Sequence, residues 1–323
     1  MFYPLTFHPI FKERVWGGRK LEQLYHKALP NGVPIGESWE ISDRPGDASV
    51  IANGPFAGKD LRWLMEQHER AVLGKAASYG GRFPLLIKIL DAQQVLSLQV
   101  HPPAARAKEL GGEPKTEMWY FTDCGPDAVI YAGLKTGVTR AEFERRTKDG
   151  TVADCFHRLP VKPGDTMFLP SGRVHALGAG AVMFEIQQNS DTTYRVFDWN
   201  RVGLDGKPRA LHIAESLASI DFNDFEPSLV KSIYSQNPAI KVRFLVDDPL
   251  FRVNACLAKR GSRFHLRVET ALVIGVVKGT LHISGGGQQV TVGAGQFCLI
   301  PAALERASFQ AETQVEFLQA EPL

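Results

Sequence analysis

The residues best able to do chemistry together are two histidines and a glutamate in short, apolar segments. Leu96-Ser-Leu-Gln-Val-His101 reads as a strand, and alternate strand positions share a face, so Ser97, Gln99 and His101 point one way. Lys115-Thr-Glu117 places Lys115 and Glu117 on a common face by the same rule. Gly164-Asp-Thr-Met-Phe-Leu-Pro170-Ser-Gly172-Arg-Val-His175 has the form G-x5-P-x-G-x2-H: a turn, a short apolar strand, a proline turn, then a histidine aimed inward. Two imidazoles and one carboxylate are the ligand count of a catalytic zinc site that keeps a position open, and Gln99 offers a neutral oxygen as fourth ligand. Taken singly, each is a residue more often found at a surface or in a core; the argument rests on the set.

The elements that must hold this set are mostly strands. Segments at 128–132, 166–169, 182–186, 192–197, 271–277, 280–283, 289–292 and 297–300 are rich in β-branched and aromatic residues and are punctuated by Gly and Pro. Helices are expected from Asp60 to about Leu73, from Thr139 onward with Thr139 as N-cap, and from near Arg209 through Ile220. The G-x5-P turn recurs as Gly295-Gln-Phe-Cys-Leu-Ile-Pro301-Ala-Ala303-Leu-Glu-Arg306, with Ala for the second Gly and Arg for the His. A spaced repeat of this kind predicts two similar barrels, of which only the first keeps its ligands.

Composition bounds the rest. The chain has 323 residues, and 37 Lys plus Arg against 35 Asp plus Glu argue against nucleic acid or a membrane surface as partner. No apolar run is long enough to span a bilayer, and Met1-Phe-Tyr-Pro-Leu5 does not resemble a secretory signal. Four scattered cysteines read as reduced, and the cytoplasm is the expected compartment. No Walker loop or G-x-G-x-x-G opens a helix, so no nucleotide cofactor is expected.

The G-x5-P-x-G-x2-H run resembles the second cupin motif, and Gln99-x-His101 with Glu117 resembles the first, its leading His replaced by Gln. Together with Arg14-Val-Trp-Gly-Gly18, Ile35-Gly-Glu-Ser-Trp-Glu-Ile41, Phe83-Pro-Leu-Leu-Ile-Lys-Ile-Leu90 and Thr193-Tyr-Arg-Val-Phe197, these motifs resemble the type I mannose-6-phosphate isomerases in their short bacterial form. The resemblance covers nearly the whole chain and is weakest after about Asp224. It implies a mainly β fold of two cupin-like jelly-roll barrels with a few helices on the N-terminal one. The division it suggests is a catalytic domain at 1–235, with added N-terminal strands and helical insertions, and a degenerate, metal-free domain at 236–323.

The resemblance further implies one Zn²⁺ per chain held by Gln99, His101, Glu117 and His175, and Arg195 as the active-site arginine. The implied reaction interconverts mannose 6-phosphate and fructose 6-phosphate through an enediol(ate), in a monomer or homodimer. Such a reaction needs a proton carrier, an electrophile for the O1/O2 oxygens, and cations for the phosphate. Lys115 is the expected carrier, its pKa brought toward neutrality by burial and the metal, with metal-bound water as the alternative. The alternative for Lys115 itself is a surface lysine; for Arg195 it is a structural ion pair with Asp191 or Asp198. Ser97 is a candidate contact to phosphate or hydroxyl, and the stretch Glu37, Trp39, Asp43 either lines the cleft or shapes a turn. His8, His26, His68, His157 and His212 have no partner at ligand spacing, His265 and His282 in the degenerate repeat read as packing or surface histidines, and the five tryptophans read as core anchors. Two other readings share the fold: a metal-dependent cupin oxygenase and a non-catalytic sugar-binding regulator.

Overall fold

The computed structural model describes residues 1–236 and 239–323. Its strands are β1 (Ile10–Gly18), β2 (Ile35–Ile41), a two-residue ribbon β3 (Asp43–Arg44) and β4 (Asp47–Ala48), β5 (Leu85–Ala92), β6 (Leu98–Val100), β7 (Glu117–Cys124), β8 (Val129–Leu134), β9 (Phe156–Pro160), β10 (Thr166–Leu169), β11 (His175–Leu177), β12 (Ala181–Gln188) and β13 (Tyr194–Phe197). After these come β14 (Lys241–Asp247), β15 (Phe251–Ala258), β16 (Arg263–Arg267), β17 (Leu272–Lys278), β18 (Thr280–Gly285), β19 (Gln288–Gly293), β20 (Phe297–Ile300), β21 (Arg306–Ala311) and β22 (Val315–Pro322). Helices are α1 (Lys20–Tyr25), α2 (Leu61–Leu73), α3 (Ala104–Ala107), α4 (Arg140–Lys148) and α5 (Ile213–Ser219).

The strands form two cupin-like barrels of one topology. The first opposes a sheet ordered β1-β2-β5-β12-β7-β10 to one ordered β13-β6-β11-β8-β9. The second opposes β14-β15-β22-β17-β20 to β16-β21-β18-β19. Strands β5 to β12 thus recur, in order and pairing, as β15 to β22, and the N-terminal segment extends the first barrel through β1 and β2.

Alternation decides what each sheet face meets. On β12, Val182, Phe184 and Ile186 join a core shared by both barrels with Ile87, Ile89, Val253, Val273 and Leu318. The opposite face of β12 points into the first barrel. There Ala181 and Met183 pack with Leu90, Trp119 and Phe121, whereas Glu185 and Gln187 are buried toward the other end. The first barrel is therefore apolar at one end and charged at the other.

Two predicted helices start as read, each capped: Asp60 accepts from Trp63 N at the start of α2, and Thr139 from Glu142 N at the start of α4. The third begins at Ile213 rather than near Arg209. His212 N bonds to Arg195 O, and Arg209 is held by Asp198, so residues 209–212 are kept out of the helix. α4 and α5 pack on the first barrel through Phe143 and Leu217, as expected. α2 instead reaches the second barrel, where Gly74 bridges Thr270 and Lys75 N bonds to Glu269 O. All four cysteines are unpaired. Among the described residues, no helix is long and apolar enough to cross a membrane.

Candidate metal centre and active-site cleft

His101, Glu117 and His175 converge at the charged end of the first barrel, with one donor atom from each within 4.8 Å of the others. His101 follows β6, Glu117 opens β7 and His175 opens β11, and all three are almost fully buried. His101 Nε2 lies 3.5 Å from Glu117 Oε2 and His175 Nε2 lies 3.3 Å from Glu117 Oε1. Each ring places Nδ1 against a backbone carbonyl, His101 on Thr192 O at 2.7 Å and His175 on Arg173 O at 2.9 Å. A carbonyl can only accept, so Nδ1 carries the proton and each Nε2 presents a lone pair to the cluster. Burial pushes both imidazoles below their ordinary pKa, His101 to about 3 with help from the Lys115 ammonium. Both rings are therefore neutral near pH 7, the form that ligates metal.

Among the described residues, no hydrogen bond reaches His101 Nε2 or Glu117 Oε1. A buried acceptor left in that state is costly unless something completes it. The donor set of two imidazoles and a carboxylate suits Zn²⁺. Gln99 flanks the set, its amide nitrogen 3.2 Å from His175 Nε2; turning the amide over would present the oxygen instead.

A chain of alternating charges runs from this cluster up the wall. Lys115 Nζ lies 2.9 Å from Glu117 Oε2 and 3.8 Å from Glu185 Oε1. Lys88 Nζ lies 3.3 Å from Glu185 Oε1, and 3.9 Å from both Glu37 Oε2 and Asp191 Oδ1. Arg14 Nε reaches Glu37 Oε1 at 2.8 Å. Two indoles brace the carboxylates, Trp119 Nε1 donating to Glu185 at 3.0 Å and Trp39 Nε1 to Glu37 at 2.7 Å.

These neighbours act against one of the two influences expected on Lys115. Burial lowers its pKa, but Glu117 and Glu185 outweigh burial and hold the ammonium above its ordinary value, so a shift toward neutrality would rest on a metal drawing Glu117 away. Glu117 shows the converse: burial pushes its carboxyl up, and Lys115 more than reverses this, leaving it well below the usual range. Glu185 is raised, because burial and the Glu117 charge prevail over Lys115 and Lys88.

Beside the cluster, reached through Gln99 and Lys115, lies a cleft of about 540 Å³ lined by Ser97, Gln99, Lys115, Glu185 and Arg195, with Arg14, Lys88, Asp191 and Arg209 around them. Lys115 is buried in this cleft, so the surface reading fails. Arg195 sits on β13, directly across from Gln99. Its Nη1 donates to Ala210 O at 2.8 Å, while its buried Nε has no partner. Neither structural ion pair forms: Asp198 takes Arg201 and Arg209, and Asp191 faces Lys88. Ser97 lines the cleft as expected, as does Glu37, whereas Asp43 is buried under Arg62 and Arg82 and shapes the fold. Trp16 and Trp119 are buried core anchors that also line the cleft.

Sequence reasoning missed Lys88 and Glu185. Both had a signal: a lone charge within an apolar strand, Leu-Leu-Ile-Lys88-Ile-Leu and Val-Met-Phe-Glu185-Ile. They are direct cross-strand partners.

Barrel and cluster together define a cupin-type protein whose interior carries a donor set that could hold a metal ion. The family profile described as phosphomannose isomerase type I, catalytic domain, matches residues 5–128. A probable mannose-6-phosphate isomerase of Bacillus subtilis is 36% identical over 324 residues, spanning all of both chains. A further mannose-6-phosphate isomerase of that organism is 43% identical over 68% of each chain. The crystal structure of the mannose 6-phosphate isomerase from Bacillus subtilis superposes with a TM-score of 0.90 at 31% identity, covering 99% of this chain and 100% of that one. The apo enzyme of Salmonella typhimurium, at 18% identity and a TM-score of 0.75, shares the fold. The chain belongs to the type I phosphomannose isomerase family.

Proposed function

We propose that this chain is a metal-dependent aldose–ketose isomerase interconverting mannose 6-phosphate and fructose 6-phosphate. The observation that carries the reading is the His101–Glu117–His175 cluster, with its unfilled donor atoms, next to a cation-lined cleft that Gln99 and Lys115 share with it. The names of its relatives support the substrate. We assign His101, Glu117 and His175, with Gln99, to one Zn²⁺ in a catalytic unit at 1–235, and no metal to the unit at 236–323. Bound there, the dication supplies Lewis acidity to sugar oxygens and competes with Lys115 for Glu117.

The protein's own groups have the remaining work. A proton leaves C2 of the aldose and is delivered to C1, while the hydroxyl proton at O2 passes to O1. Arg195, with its unpaired Nε, faces the anion that develops on these oxygens or the phosphate, and Ser97 offers a hydroxyl beside it. Lys115, held as an ammonium, can give a proton but takes one only after losing its own. Glu185 is buried with a raised pKa beside Lys115, which favours a second reading in which Glu185 is the C2 base. The oxygenase reading has no use for Lys115 and Arg195 in the cleft, and the regulatory reading does not explain an intact ligand set.

Turnover of mannose 6-phosphate by full-length protein tests the function. Chelation should abolish it and Zn²⁺ should restore it; undiminished turnover by metal-free protein would sink metal dependence. Solvent exchange of the C2 proton separates the two carriers. Lys115→Met should suppress exchange roughly a hundredfold or more if Lys115 is the carrier, and Glu185→Gln should do so if Glu185 is.

A further inference from the structure

The turn Pro170-Ser171-Gly172 touches every segment that carries a ligand. Gly172 N bonds to His101 O at 2.9 Å. Ser171 Oγ accepts from Lys115 N at 3.1 Å and lies 3.2 Å from Thr116 Oγ1. Ser171 N donates to Thr116 Oγ1 at 3.2 Å, closing a reciprocal clip. His175 follows four residues after Ser171, so the clip ties the strand bearing Glu117 to the turn bearing His175. Thr116 is itself fixed, its N donating to Gln188 Oε1 at 2.9 Å.

The second barrel is an internal control. Glu117 pairs with Leu169, and Leu272 pairs with Ile300, so Thr116 corresponds to Ala271 and Ser171, after Pro170, to Ala302, after Pro301. Both clip residues are alanine there, and the chain still passes from strand through proline to strand, by a 3-10 turn at Ala302–Leu304. A connection between these strands forms without the clip.

We propose that Thr116 and Ser171 are positioning residues that set the separation of Glu117 and His175, and the direction of Lys115, for the metal. The proposal rests on the metal-site reading above. Groups supporting ligands in this way typically contribute ten- to a hundredfold in metal affinity.

The test uses full-length apo-protein and competition with a chromophoric chelator for Zn²⁺. Thr116→Val and Ser171→Ala should each weaken binding about tenfold. Thr116→Ser, which keeps the hydroxyl, should bind as wild type does, and the double variant should lose little more than either single one. Urea unfolding of the apo-proteins, run in parallel, should show midpoints close to wild type. Wild-type affinity in both single variants would overturn the proposal, and so would an affinity loss matched by an equal loss of apo stability. If wild-type protein binds no Zn²⁺ at all, it is the metal-site reading that fails.

Discussion

The two barrels share a strand order and differ in almost every residue that could do chemistry. Register makes the comparison residue by residue. Lys88 faces Glu185, and Asn254 faces Gln319. Glu185 also faces Trp119, and Gln319 faces Ile274. His175 pairs with Gln99, and Arg306 with Arg267. Glu117 becomes Leu272, and His101, two residues beyond Gln99, becomes Glu269. The apolar end differs too: where the first barrel has Leu96 and Met183, the second has Phe264 and Phe317, and Phe264 stacks on Phe309 and Phe317 with ring centroids 5.0 and 6.1 Å apart. The path of the chain is set by apolar alternation and Gly/Pro turns, which both barrels keep. The chemistry is set by what faces inward, which only one keeps. The second barrel also spends its mouth on packing, since the end of α2 sits against Glu269 and Ala302.

The largest effect is expected where the barrels differ most. His101→Ala should lose stoichiometric metal and reduce turnover by roughly a thousandfold or more, because an open site with few ligands does not tolerate losing one. The reverse graft should fail. Leu272→Glu with Arg306→His supplies two ligand types to the second barrel, but Glu269 and Arg267 remain where the first has His101 and Gln99. Metal analysis should still give one ion per chain, and a second tightly bound ion would show that ligands alone make the site.

Arg195 comes next, and it separates two roles. If it meets charge that appears only in the transition state, Arg195→Ala lowers kcat and kcat/KM by similar factors, roughly a hundred- to a thousandfold. If it holds the phosphate throughout, KM rises and kcat stays. The first outcome is expected, because Arg195 lies on a strand beside Gln99 with its Nε unpaired. A change confined to KM would make it a phosphate clamp.

What the sequence disclosed, and what it withheld, follows the same division. Strands, the proline turns and the His101–Glu117–His175 set were legible because each depends on local alternation or a short spacing. The full charge environment of Lys115 was not, because Glu185, which arrives from β12 some seventy residues later, adds to the hold of the neighbouring Glu117 on the buried ammonium. Nor was the seat of α2. Its amphipathic pattern says that it packs, and only Gly74, whose backbone meets Glu269 too closely for a side chain, shows on what.

Stability should register the same contrast between the barrels. Lys88→Met leaves Glu185 and Glu37 without their shared cation in a buried site, at an expected cost of about 3–5 kcal/mol in urea unfolding. Asn254→Leu at the equivalent position removes a buried Oδ1 that has no hydrogen-bond partner, and should be neutral or stabilising by about 1 kcal/mol. A similar loss in both variants would mean that the two interiors are equally dependent on polar order.

A pH dependence is expected of the first barrel through Glu37. Glu37 faces Leu90 on β5; Val242, its counterpart on β14, faces Cys256 and cannot titrate. Burial raises the Glu37 pKa, but Lys88, Arg14 and the Trp39 N–H outweigh it and hold the carboxyl at about 2, against an ordinary 4.5. A depressed carboxylate stabilises the fold fully above its unfolded pKa and loses that contribution as pH falls toward the folded one. The window therefore runs from about pH 4.5 down to about 2, and the contribution at stake is on the order of 3 kcal/mol. Urea midpoints of wild type and Glu37→Gln should differ by a constant amount at pH 5 to 7 and converge steadily as the pH is lowered from 4.5 toward 3. Val242→Thr should run parallel to wild type across the same range. A gap between wild type and Glu37→Gln that stays constant down to pH 3 would mean that Glu37 acts through packing, and that the charged wall of the first barrel draws no net stability from its ionisation.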